Sequence, residues 1–336
     1  MKKHVAEALA LAAAALLALG QAALAQQADP SRTPKQAGKS PVKVFILAGQ
    51  SNMEGQGVVK QEDKDGKALP GTLVSLMSDP ARAAPFKHLK DAKGEWAVRE
   101  DVWVYSQTGT GVAKGGLTLG YGWAAGDKRF LGPELQFGHV LANALPNQIL
   151  IIKTAWGGKS LYKDFRPPSS GGEVGPCYTK MLDTVDNVLK NLKAEFPNYD
   201  GSGYELAGFV WYHGWNDGCD PKNAVPEYER NLVNLIKDLR KDLKAPHLPV
   251  VIGELTGPWV EVGGEWGALR KAQAAAAAHP ELKGNVTFVE THDFVRKEEE
   301  SPGGWPCHEF NNAETYFLVG NALGEGMKRL LAAPGK

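Results

Sequence analysis

Val44-Phe45-Ile46-Leu47-Ala48-Gly49-Gln50-Ser51-Asn52-Met53-Glu54-Gly55 decides the fold. It opens with an unbroken run of apolar, partly β-branched residues, the composition of a strand buried on both faces of a parallel sheet. Gly-Gln-Ser-Asn is then the exit turn. A serine thrown out at the carboxyl end of a central strand lies where open α/β sheets bind their ligands. Ser51 is therefore the candidate nucleophile. A serine hydroxyl attacks poorly until a base takes its proton, so the chain must also supply a histidine and donors for an oxyanion.

Working outward, apolar runs at 149–153, 206–212, 249–253 and 286–290 predict further strands, and helical patterns at 135–144, 178–196, 228–239, 267–278 and 313–331 separate or follow them. Strands alternating with helices of this length predict a three-layer α/β sandwich around a doubly wound, mostly parallel sheet. Between the nucleophile and the first of these strands, residues 55–130 read as a long insertion, mostly connection, with short strands at 72–77 and 102–105 and a glycine-rich segment at 109–126. An insertion of that length beside a nucleophile suits a rim or lid. Glu134, behind Pro133, either orients a loop or simply occupies the first turn of its helix. Two glycines after the 149–153 strand, Gly157 and Gly158, let the backbone approach a ligand and present its amides.

The stretch GQSNMEG at 49–55 resembles the first sequence block of the SGNH (GDSL-like) hydrolases, in the branch holding sialate O-acetylesterases and family 6 carbohydrate esterases. The resemblance implies a flavodoxin-like SGNH fold and a serine esterase without metal or organic cofactor. In that family a glycine of the second block lends its amide to the oxyanion hole, a role that falls on Gly158, with Gly157 beside it. The third block, Gly-x-Asn-Asp, is matched by Gly214-Trp215-Asn216-Asp217, which makes Asn216 a further oxyanion donor alongside the Ser51 amide; many relatives in this branch carry Gln-Gly-Glu instead. The last block ends in a histidine before a C-terminal helix, the place of His308, which makes it the general base. His213 and His292, near other strand ends, stand as alternatives. Three residues before the histidine the family usually has Asp, and this chain has Trp305. The orienting acid must then come from elsewhere. Asp293 is the first choice, with Glu309 and Asp217 behind it, and a backbone carbonyl is the remaining option.

The implied substrate is an O-acetyl ester on a sugar, of the acetylxylan or sialate type. Gln50, Trp156, Arg166 and Trp215 are the expected substrate contacts, and Trp103, Tyr121, Trp123 and Trp259 are further aromatics near loops that would suit stacking on sugar rings. A lipid or thioester hydrolase on the same scaffold, and a low-activity carbohydrate-binding relative, are the competing readings.

Of the 336 residues, the first 25 read as a secretory signal peptide: Lys2, Lys3 and His4 precede an apolar run, and Ala23-Leu24-Ala25 fits a cleavage site. Residues 26–40 read as a flexible lead-in and 41–333 as a single domain, so the expected location is periplasmic or secreted. Lys+Arg and Asp+Glu both number 38. That balance argues against nucleic acid or an anionic membrane surface as partner, and beyond the leader no apolar stretch is long enough to span a bilayer. Cys177, Cys219 and Cys307 are odd in number, and their spacing fixes neither a metal site nor a disulfide pairing.

Overall fold

A computed structural model of the chain describes residues 36–255 and 264–333. The expected leader and Trp259 lie outside them. Seven strands form the main sheet: β1 (Lys39–Gly49), β2 (Arg99–Thr108), β3 (Gly111–Leu117), β4 (Asn147–Ala155), β5 (Tyr204–Tyr212), β6 (Val250–Gly253) and β7 (Val286–Val289). Their spatial order is β3-β2-β4-β1-β5-β6-β7, and every pairing is parallel except the β2–β3 hairpin. After β1 the chain builds β2, β3 and β4 on one side of it and then crosses to β5 on the other. β1 is thus the switch point of a doubly wound sheet.

The strand composition accounts for the layers. Val44, Ile46 and Ala48 point into the core beneath one set of helices, while Phe45 and Leu47 point into the other, all at 0% exposure. The first face is covered by α4 (Pro176–Lys190), α7 (Ala224–Asp242) and α8 (Gly264–Ala278); the second by α3 (Pro133–Ala144) and α9 (Ala313–Ala332). The shorter α1 (Ser51–Glu54), α2 (Leu73–Ser78), α5 (Leu192–Glu195) and α6 (Trp215–Gly218) complete the set. Among the described residues no helix is long and apolar enough to cross a membrane.

Three sequence expectations change. Residues 72–77 are helical rather than extended: the Thr72 hydroxyl accepts from Ser75 N at 3.3 Å, capping α2, and Leu73 and Leu76 are buried at helical spacing. The supposed insertion contributes two strands to the main sheet, because the glycine-rich segment folds back as β3 against β2. β1 also begins at Lys39, inside the expected lead-in.

Candidate active site

Register puts the site together. Gly49 of β1 faces Ala155 of β4 and Tyr212 of β5, so three strands end level at one edge. Neighbouring strands lie about 4.8 Å apart, which brings the exits Gln50-Ser51, Trp156-Gly157-Gly158 and Gly214-Trp215-Asn216 out side by side with the serine in the middle. Gly49 is required there: a Cβ would sit 2.2 Å from Tyr212 O.

Ser51 opens α1 directly after the strand and is buried to 7% exposure. Its flanking residues fasten the other segments. Gln50 accepts from Gly214 N at 3.0 Å and donates Nε2 to Asn216 Oδ1 at 3.0 Å. With Oδ1 so engaged, the Asn216 Nδ2 donor is oriented away from Gln50. Gln50, expected as a substrate contact, instead spends its amide on Asn216 and Gly214. On the other side of the serine, Asn52 donates Nδ2 to Cys307 O at 3.1 Å and lies 3.4 Å from Glu309 Oε1. Tyr316 of α9 donates its hydroxyl to Asn52 Oδ1 at 2.9 Å and lies 3.2 Å from His308 O. The main chain on both sides of His308 is thereby tied to the residue next to Ser51. Glu309, Phe310 and Asn311 follow with φ of 55°, 50° and 59°, a left-handed run that costs energy in each residue and is held by these ties.

The His308 ring is partly buried, and burial alone pulls its pKa below the ordinary imidazole value. Nδ1 is buried without a hydrogen-bond partner among the described residues. Asp293 does not supply one: its side chain is 86% exposed and its carboxylate lies 3.4 Å from His292 Nε2 instead. Asp217 is spent elsewhere as well, accepting Leu161 N and Tyr162 N at 2.9 Å each, with burial raising its pKa to about 7. The alternative histidines also have other partners. His213 is fully buried, 2.9 Å from Lys159 O, and burial lowers its pKa to about 3. His292 Nδ1 sits 2.6 Å from Glu254 Oε2 at the exit of β6.

The loop after β4 rests on buried charge. Lys153 of β4 directs its three N–H groups to Glu134 Oε2 at 2.8 Å, to Glu54 O at 2.8 Å and to Tyr121 O. Glu134 also accepts from Gly132 N at 3.2 Å. A buried ion pair is tolerated when its remaining hydrogen-bond capacity is met, and here it braces α1 from below. Glu134 is thus more than a first-turn residue. Glu54, the last residue of α1, accepts from Gly109 N at 3.1 Å, and its Oε2 lies against Gly157 of the loop after β4. A Cβ at Gly157 would lie 3.5 Å from Ser51 Cβ, which measures how closely this loop approaches the serine. Gly158 takes a left-handed φ of 73° with open space around it, and its own amide makes no backbone bond among the described residues.

The other expected substrate contacts divide. Arg166 is consumed by Glu227 Oε2 at 3.1 Å and by the carbonyls of Tyr162, Ser170 and Gly171. Trp156, Trp103 and Tyr121 are core residues at 5% exposure or less. Trp215, beside Asn216, stacks on Trp266 at 4.3 Å, and Trp123 is 42% exposed. Cys177, Cys219 and Cys307 are free thiols. Asn52 and Glu54 sit inside the 49–55 block and Tyr316 in the C-terminal helix, and no local pattern announces the bonds the three make.

A family model described as carbohydrate esterase, sialic acid-specific acetylesterase, matches residues 41–325. A protein of Arabidopsis thaliana named "Probable carbohydrate esterase" is 24% identical over 213 residues, which is 63% of this chain and 68% of that one. A solved Arabidopsis thaliana structure superposes with a TM-score of 0.53 at 20% identity, covering 86% of this chain and 98% of its own. The structure of NanS gives 0.53 at 14% identity, covering 87% and 98%. At such identities the two superpositions speak for a shared fold.

Proposed function

Because the chain belongs to the sialic acid-specific acetylesterase family of carbohydrate esterases, and is accordingly a carboxylic ester hydrolase acting on carbohydrate acetyl esters, we propose that it works through a serine acyl-enzyme on a neutral acetylated sugar. Ser51 Oγ gives its proton to His308 Nε2 and bonds to the acetyl carbonyl carbon. The Ser51 and Gly158 amides and Asn216 Nδ2 hold the resulting oxyanion. Collapse breaks the bond to the sugar oxygen, which takes the proton from His308 as it leaves. Water, deprotonated by the same histidine, then releases acetate and restores the serine.

The observation that carries this reading is the pair of ties on either side of Ser51: Gln50 to Asn216, and Asn52 to the main chain before His308. The preference for a neutral sugar over a sialate rests on Arg166, whose guanidinium is committed to Glu227 and loop carbonyls and so is not offered to a substrate carboxylate. Acetate release from acetylated xylo-oligosaccharides should exceed release from O-acetyl sialic acid, and 4-nitrophenyl acetate should be turned over faster than the octanoate. The opposite chain-length preference would favour a lipid hydrolase; no release from any ester would favour a carbohydrate-binding relative.

Trp305 stands where the family usually carries the acid, its carbonyl accepting from His308 N at 2.9 Å, and its side chain is 73% exposed. Trp305→Asp is expected to raise kcat on 4-nitrophenyl acetate about tenfold or more, since an acid on the base is worth orders of magnitude in related triads. An unchanged or lower kcat would mean that His308 is already oriented without it.

A further inference from the structure

Three buried ionisable groups, Glu54, Glu134 and Lys153, lie beneath the nucleophile turn and take no part in proton transfer. Lys153 and Glu134 satisfy each other. Glu54 differs, because its carboxylate lies between two segments: the turn of the β2–β3 hairpin, bonded through Gly109 N at 3.1 Å, and the loop after β4, packed against it at Gly157. A Cβ built on Gly157 would stand 3.1 Å from Glu54 Oε2, so that loop lies directly against the carboxylate. Glu54 is 2% exposed, and its main-chain carbonyl is itself held by Lys153 Nζ at 2.8 Å. Both ends of the residue are therefore fixed.

The consequence falls on the next amide. With Gly157 packed between the Glu54 carboxylate and the Ser51 side chain, the loop has little room to shift there, and Gly158 follows in a left-handed conformation with no backbone bond to its own amide among the described residues. An oxyanion donor is effective only if it is aimed before the charge develops, since reorienting it during the reaction forfeits the stabilisation.

We propose that Glu54 is a positioning residue for the oxyanion loop: by holding Gly157 against the nucleophile helix, and the hairpin turn behind it, its carboxylate aims the Gly158 amide at the developing oxyanion. The proposal rests on the serine-esterase reading above. It also gives the hairpin a part in catalysis, because Gly109 shares the carboxylate that sets the loop.

The test compares an oxygen ester with its thionoester. Sulfur accepts hydrogen bonds poorly, so a well-aimed hole favours the oxygen substrate, and a misaimed one loses that preference. In Glu54→Gln, either the Gly109 amide or the Gly157 loop faces an NH2 group instead of an oxygen. Its kcat on 4-nitrophenyl acetate should fall by roughly tenfold or more, with KM within about twofold, and the ratio of oxygen-ester to thionoester rates should fall in parallel. Both substrates meet the same folded molecules, so a partly unfolded preparation cancels from the ratio. Glu54→Asp keeps the charge near Lys153 but shortens the reach, and serves the same comparison if the Gln variant does not fold. A ratio equal to the wild type in the variants, whatever happens to kcat, would overturn the role of Glu54 while leaving the esterase reading standing. A wild-type protein that turns over neither ester would remove both.

Discussion

Ser51→Ala should lower kcat on acetylated xylo-oligosaccharides and on 4-nitrophenyl acetate by about a thousandfold or more, with little change in thermal stability. The size follows from losing the covalent step: removing the nucleophile from a serine triad leaves only the assistance of the oxyanion hole and of substrate binding. The small stability change follows from where the fold is held. The ties around the serine run through Gln50 and Asn52 side chains and through main-chain groups, and α1 is braced by Lys153 on the carbonyl of Glu54. Alanine keeps all of them. Acetate release and a melting curve on the same preparation check both halves, and turnover within tenfold of wild type would remove Ser51 from the chemistry.

His308→Ala should cost a comparable factor at neutral pH, and it should also change the shape of the pH profile. The base works in its neutral form, and burial depresses the imidazole pKa, so the ring stays neutral to a more acid pH than a free histidine would. The acid limb of wild-type kcat/KM is therefore expected below about pH 6.5, the ordinary imidazole value. In the variant that limb disappears, and the residual rate rises with hydroxide. The fold should survive, since Asn52 bonds Cys307 O, and the Tyr316 hydroxyl lies against His308 O, both main-chain carbonyls that alanine retains. A variant that keeps the wild-type limb would point to a different base, with His292 on Glu254 the first to examine.

Much of the scaffold was legible because local composition and burial agree. The run from Val44 to Ala48 reads as doubly buried, and its side chains alternate between two cores. The helices flanking the sheet carry their apolar residues at helical spacing, and the strand exits fall within a residue or two of where glycines announce them. What was missed depends on partners remote in sequence. Residues 72–77 have strand-like composition, but a threonine cap and the packing of Leu73 and Leu76 decide for helix. The glycine-rich 109–126 segment shows no strand period, yet β2 offers it an edge.

The site divides along the same line. Ser51, Gly158, Asn216 and His308 stand out in the sequence because each follows a strand or precedes a helix in a recognisable block, and the structure keeps each at that place. Asp293 follows a strand end expected on the same rim as His308, and the chain turns its carboxylate to His292 and solvent. Trp156 and Arg166 sit in the right loops but face inward, one into the core and the other onto Glu227. No local pattern says which way a loop side chain turns. Asn52 and Tyr316 matter through a bond spanning 264 positions.

The central claim is that Ser51, activated beside His308, forms the covalent bond. Labelling with an alkyl fluorophosphonate, followed by peptide mapping, tests it most directly. One stoichiometric adduct on the peptide bearing Ser51, lost in Ser51→Ala and formed far more slowly in His308→Ala, is the expected result; an adduct on another residue, or ester hydrolysis that continues with Ser51 blocked, would contradict it.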